Sequence, residues 1–137
     1  MEALAAVILG AVLFMHAWQL FGLSHPKTTG IVAAAGAIIL ASLVAWQPVA
    51  TMTKVEPGAL STSIAVWAIY AALVAGAGLW GLDARGLGLY SIFAAVVMIG
   101  QIMYCATVVY VLAGLICGVV QAVAFAILFC YLAIPIA

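Results

Sequence analysis

Six side chains with polar or aromatic chemistry stand inside otherwise apolar stretches of this chain. His16 is the only ionisable group deep within such a stretch, and Gln19 follows one helical turn later on the same face. An ionisable side chain in apolar surroundings is a functional hypothesis, because its burial is costly. The pair could line a polar path. Alternatively, a neutral His16 could hydrogen-bond to a neighbouring backbone carbonyl.

Two further amides, Gln101 and Gln121, are the polar residues of the last two apolar stretches. Each offers a donor and an acceptor, and so could contact a small polar solute or hydrogen-bond across helices. Trp67 and Tyr70 lie at a similar predicted depth in the third stretch and complete the set of candidate lining residues.

Catalytic or metal-binding sets are not evident in the sequence. It contains no close pair of carboxylates, no Ser/His/Asp or Cys/His set and no glycine-rich phosphate loop. Cys105, Cys117 and Cys130 are odd in number and form no C-x-x-C motif, which predicts neither a disulfide framework nor a zinc site. We therefore expect no enzymatic activity, no cofactor and no metal.

The composition identifies the medium that surrounds these residues. Hydrophobic residues make up 71% of the 137 and charged residues 4%, and no charged residue or histidine follows Arg85. The mean hydropathy is +1.46. A central Asp, Lys or Arg costs about 2.5–3.5 kcal/mol in a membrane helix, so a sequence this poor in charge predicts an integral membrane protein surrounded by lipid. Nucleic-acid binding is excluded, because it needs a basic patch.

Charges, prolines and glycines divide the chain into apolar stretches of spanning length, about 20 residues. They predict an all-α fold, a polytopic transmembrane helix bundle in a single domain over residues 1–137. We expect five spans, with four as the fallback, since no charge or proline separates the last two. The predicted spans are 3–23, 29–47, 61–80, 87–105 and 109–134.

Orientation and assembly are predicted from the loops and the small residues. Lys27 and Arg85 fall on one side of the membrane in this topology and Lys54 on the other, so the positive-inside rule places the N-terminus outside. Small residues run through every span, including Gly114 and Gly118 one turn apart. They favour close helix packing and an oligomer.

Two connecting segments carry a family resemblance. One is residues 21–29, Phe-Gly-Leu-Ser-His-Pro-Lys-Thr-Thr, and the other is residues 80–91, Trp-Gly-Leu-Asp-Ala-Arg-Gly-Leu-Gly-Leu-Tyr-Ser. They resemble the D-P-K-S-T segment and the G-L-D-x-R-G-L-G segment of the UreI/AmiS family of urea and short-chain amide channels. The resemblance covers roughly residues 4–100, and the order of the segments agrees as well.

The resemblance implies a passive channel for a small neutral solute in a bacterial inner membrane, with protomers in a hexameric ring. The chain departs from the family in length, since it accommodates only two helices after Arg85 and we expect one helix fewer than the family has. His16 stands where the family has Asn, His25 where it has Asp, and Cys117 where acid-gated members have Glu. The predicted outer loop, residues 51–63, holds no histidine, so acid gating is not expected.

The two connecting segments also make sense as helix-end structures. Thr28 or Thr29 could cap the second helix through a hydroxyl. Asp83 could pair with Arg85 or Lys27 to form a cytoplasmic loop clasp.

Two other functions stay open beside the channel. The chain could be a non-transporting structural or accessory subunit of a larger membrane complex, in which the polar residues face partners. It could also carry protons through His16, although proton relays usually chain several ionisable groups.

Overall fold

The computed structural model describes residues 2–50, 58–109 and 112–133, which form helices, with short connections at residues 21–25 and 81–83. The predicted all-α class and the prediction of five helices are confirmed. A π-helical turn, Cys105–Val109, continues the fourth helix. The α-helices are α1 (Glu2–Leu20), α2 (Pro26–Ala50), α3 (Gly58–Trp80), α4 (Ala84–Tyr104) and α5 (Leu112–Ala133).

Four of the helical segments are long and apolar enough to cross a membrane, which matches the fallback count. They are Pro26–Trp46, Ser61–Trp80, Ala84–Thr107 and Leu115–Ala133. The apolar part of α1, Leu4–Leu20, is shorter, so its crossing stays a prediction. Trp46 and Trp80 stand at the ends of two of these segments with 63% and 75% of their surface exposed, as interfacial tryptophans do.

Glycines with positive φ end α1 and α3. The first helix stops at Leu20 instead of the predicted residue 23, because Gly22 adopts a φ of 73°. The Gly22 N–H then donates to Gln19 O at 2.9 Å and the Leu23 N–H to Trp18 O at 2.9 Å, which is the Schellman pattern of helix termination. Gly81, with a φ of 67°, ends α3 by the simpler αL motif, in which its N–H donates to Ala77 O at 3.1 Å.

A proline and a histidine start α2. Pro26 occupies the first helical position, where its missing N–H costs nothing. His25 precedes it and caps the helix: its Nδ1 accepts the Lys27 N–H at 3.3 Å. The prediction that Thr28 or Thr29 caps α2 is therefore wrong. Thr29 is fully buried, and its hydroxyl donates to Met15 O of α1 at 3.4 Å.

The chain divides into two compact units, Met1–Leu82 and Asp83–Ala137. The prediction of one domain over residues 1–137 stays a prediction. In the first unit α2 and α3 run antiparallel, and their backbones touch where Gly30 faces Gly78. A Cβ atom at Gly78 would lie 2.9 Å from Gly30 Cα. α1 packs on α2 at Gly36, where a Cβ atom would meet the Val12 side chain at 2.5 Å.

The second unit is an antiparallel pair of helices. Asp83 caps α4 by accepting the Arg85 N–H at 2.9 Å. α4 and α5 approach closely at Gly88, where a Cβ atom would lie 2.7 Å from Ala133 N. Met98 and Phe125 fill the space between the two helices with no exposed surface.

Both helices of the second unit leave a broad apolar surface outward. One shallow apolar groove of about 450 Å³ runs along α5, lined by Val123, Ala126, Ile127, Cys130 and Tyr131. Such surfaces suit lipid chains, which reward apolar contact without requiring any particular geometry.

Candidate functional site

Three of the predicted lining residues meet in the core of the first unit. His16 of α1 and Tyr70 of α3 are joined by a hydrogen bond of 2.8 Å between Nδ1 and the phenol oxygen. Trp67, one turn before Tyr70, lies edge-on to the phenol ring, with 5.5 Å between the ring centroids. The exposed fractions are 5% for His16, 0% for Tyr70 and 3% for Trp67.

This cluster joins α1 to α3. The hydrogen bond gives the buried imidazole a partner, as a polar group in apolar surroundings requires. The predicted alternative, a hydrogen bond from His16 to a backbone carbonyl, is wrong. His16 bonds to the hydroxyl of Tyr70 instead. That these three side chains line a path for a solute stays a prediction.

Three hydroxyl groups in the spans are bonded to their own helix. Ser42 donates to Ile38 O at 2.8 Å, and Ser91 donates to Leu87 O at 2.9 Å. In the π-helical turn, the Thr107 hydroxyl donates to Met103 O at 2.7 Å. Bonds of this kind, to the carbonyl four residues earlier, satisfy a hydroxyl without a second helix or water.

Two glutamines, Gln19 and Gln101, differ from these hydroxyls. Within the described residues, Gln19 Oε1 and Gln101 Oε1 are buried and accept no hydrogen bond. Gln121 donates from Nε2 to Cys117 Sγ of its own helix at 3.0 Å. A buried acceptor without a donor costs about 1–3 kcal/mol, so each of the two oxygens calls for an explanation such as a water or a ligand.

One of these two glutamines lines an open cleft. Gln19 lines it together with the turn between α1 and α2, and its volume is about 510 Å³. The other lining residues are Gly22, Leu23, Ser24, His25 and Pro26. The positive φ of Gly22 turns the chain away from the α1 axis, and Pro26 starts α2, so the cleft follows from the two signals that end one helix and begin the next.

Sequence reasoning selected Gln19 but missed its neighbours in the cleft. The sequence places His25 only in a connecting segment, although this residue lines the same cleft and its Nδ1 accepts the Lys27 N–H. The available signal was a polar side chain in the last turn of an apolar helix, followed three residues later by glycine and four residues after that by proline.

The clasp residues lie at helix starts. Lys27 is the second residue of α2 and is exposed, and Arg85 is the second residue of α4 and is also exposed. Asp83 engages the Arg85 backbone N–H as a cap. Pairing of the Asp83 carboxylate with the Arg85 or Lys27 side chain stays a prediction.

Metal ligands do not gather in the part of the chain that the structure describes: no three His, Cys, Asp or Glu side chains come together there. Comparison of the chain with models of protein families, with curated proteins and with solved structures finds no match in any of the three.

Proposed function

We propose that the chain is a protomer of a passive, homo-oligomeric membrane channel for a small neutral solute such as urea or a short-chain amide. The chemistry of the four long apolar helices supports this most directly. Their charged residues are Lys27 and Arg85, each second in its helix, and every other polar side chain is an uncharged amide, hydroxyl or aromatic group. Such groups can replace part of the water around a neutral planar molecule, but they offer an ion no compensating charge.

The resemblance of residues 21–29 and 80–91 to the UreI/AmiS family supports the choice of solute and the hexameric ring. Both segments join helices, α1 to α2 and α3 to α4. In the proposed topology all five helices cross a bacterial inner membrane with the N-terminus outside. The two segments then lie together on the cytoplasmic side, with Lys27 and Arg85.

Osmotic swelling of liposomes tests the proposal. Liposomes that contain the purified chain should swell faster in isosmotic urea or acetamide than empty liposomes, in either direction of the gradient and without an ion gradient. In isosmotic KCl the two preparations should behave alike, because the helices offer ions no charge. Equal rates for loaded and empty liposomes in both amides would remove the transport role.

One observation favours a second function, that of a structural subunit of a larger membrane complex. Three predicted lining residues, His16, Trp67 and Tyr70, are buried against each other. They hold two helices together, as a packing module requires.

Purification in a gentle detergent separates the two functions. A ring of identical chains, sized by light scattering and seen in particle images, supports the channel. A stoichiometric foreign membrane protein that remains bound through two chromatographic steps supports the structural subunit.

A further inference from the structure

We infer that the cleft at the end of α1 is a binding site for a small primary amide or urea, which Gln19 and His25 hold by complementary hydrogen bonds. The inference rests on the proposed function and deepens it, because it names the place where the solute is held at the end of the path. Gln19 supplies the acceptor and His25 the donor.

The acceptor is the carbonyl oxygen of Gln19. It is buried without a hydrogen bond, although its side chain lines an open cleft of about 510 Å³. The last torsion of a glutamine side chain is soft and roughly two-fold, so rotation of the amide can bring the oxygen into the cleft. After that rotation, a ligand N–H in the cleft gives the oxygen the hydrogen-bond partner that it lacks in the buried position.

The donor is the imidazole of His25. Its Nδ1 accepts the Lys27 N–H at 3.3 Å and thereby keeps its lone pair engaged with the start of α2. A neutral ring whose Nδ1 is an acceptor carries its proton on Nε2. The helix cap therefore fixes the tautomer, and His25, an exposed residue that lines the cleft, presents an N–H donor.

Primary amides and urea match this pair of groups. Each is planar and has a carbonyl oxygen for the His25 N–H and an NH₂ group for the Gln19 oxygen. None of the six lining residues is Asp, Glu, Lys or Arg, so the site offers no counter-charge to an ion. Gly22 has no side chain and leaves room in the cleft. The volume is large for such small molecules, so the ligand keeps part of its water.

Solution NMR of the full chain in detergent micelles tests the site without measuring transport. Acetamide is added to saturation, and two sets of signals are followed: those of the Gln19 side-chain amide and those of the His25 ring. The Gln19 signals are identified by their loss in Gln19→Leu. Both sets should shift along one saturating curve. The indole N–H of Trp46 is the internal control, because it stands about 30 Å along α2 from Pro26. N,N-dimethylacetamide, which has no N–H, should leave the Gln19 signals in place.

Liposome swelling supplies the second measurement. Gln19→Leu should slow acetamide flux about 2- to 12-fold, the worth of one neutral hydrogen bond, and leave N,N-dimethylacetamide flux unchanged. Ser42→Ala is the control variant, because the Ser42 hydroxyl bonds to its own helix and lies outside the cleft.

The outcomes separate the site from the channel. The site is established if the signals of Gln19 and His25 shift along a saturating curve while the indole N–H signal of Trp46 stays in place. Flux in the wild-type chain without such shifts overturns the site and leaves the channel. Shifts without flux in any liposome remove the channel and keep the site. The His25 ring signals are followed in the wild-type chain, so the absence of a saturating shift at His25 refutes the site even if Gln19→Leu fails to fold.

Discussion

Replacing Gly78 by alanine tests whether the backbone contact between α2 and α3 holds the first unit together. The new Cβ atom would collide with the Pro26 carbonyl oxygen and lie 2.9 Å from Gly30 Cα and 3.0 Å from Gly30 N. All three are backbone atoms and cannot rotate away. The Pro26 oxygen is the nearest of the three, so the helices must separate by about one ångström at that level before all three distances reach 3.4 Å, where ordinary contact begins.

The cost can be isolated with a matched variant, Gly10→Ala. Gly10 lies in α1 with no atom within 4 Å of the position where its Cβ would stand. Both substitutions gain the same helix propensity, roughly 0.5–1 kcal/mol, so the difference between them leaves only the collision. Overpacking of this kind costs about 1–3 kcal/mol. Gly78→Ala should therefore unfold about 1–3 kcal/mol more easily than Gly10→Ala.

The assay is a titration with SDS from mild detergent, followed by far-UV circular dichroism, with the free energy of unfolding taken from the midpoint and slope. Equal free energies for the Gly78 and Gly10 variants would refute the reasoning. In that case the helices either do not touch at this level or separate without loss.

Three further substitutions, each followed by the same SDS titration, test other contacts. Tyr70→Phe should lower the free energy of unfolding by about 1–3 kcal/mol, because it leaves the buried Nδ1 of His16 without its partner. Tyr131→Phe, at an exposed position, should change the free energy of unfolding little. Equal effects of the two substitutions would show that the buried hydrogen bond contributes nothing to stability. Asp83→Ala should lower the free energy of unfolding by about 0.5–2 kcal/mol through loss of the helix cap, and Asp83→Asn should lower it hardly at all. A large decrease in the Asn variant would mean that the charge of Asp83 stabilises the chain and the cap does not. Gly22→Ala should cost about 1–2 kcal/mol through its φ of 73° alone, since nothing lies within 4 Å of the added carbon, and an unchanged stability would place the end of α1 elsewhere.

The positions of the helices could be predicted because residues at or next to the helix ends determine where those helices begin and end. Pro26 and Gly81 each stand at or next to an observed helix boundary. The predicted end of α1 lies three residues too late. The helix ends where Gly22 and Leu23 bond to earlier carbonyls, which requires a left-handed glycine, and the hydropathy pattern carries no information on the φ of a glycine. Between α4 and α5 the sequence gives no break signal, yet the structure has a π-helical turn at Cys105–Val109.

The side-chain partners were less predictable than the helices. His16 and Tyr70 were both selected as polar or aromatic groups at depth, but 54 residues separate them, and no local pattern says that they meet. The unsatisfied oxygen of Gln19 is likewise a property of the fold, since it depends on which donors the surrounding helices fail to supply.

Three contacts fix the relative register of the first three helices. They join Gly30 to Gly78, Val12 to Gly36, and His16 to Tyr70. Each helix takes part in two of them, so sliding any one helix by a turn, about 5.4 Å, breaks two contacts at once. The end of α1 is thereby held at one level against α2, and the Gln19 cleft lies at that end. The contacts at Gly30, Gly36 and Gly78, residues without reactive side chains, therefore help to fix the position of Gln19.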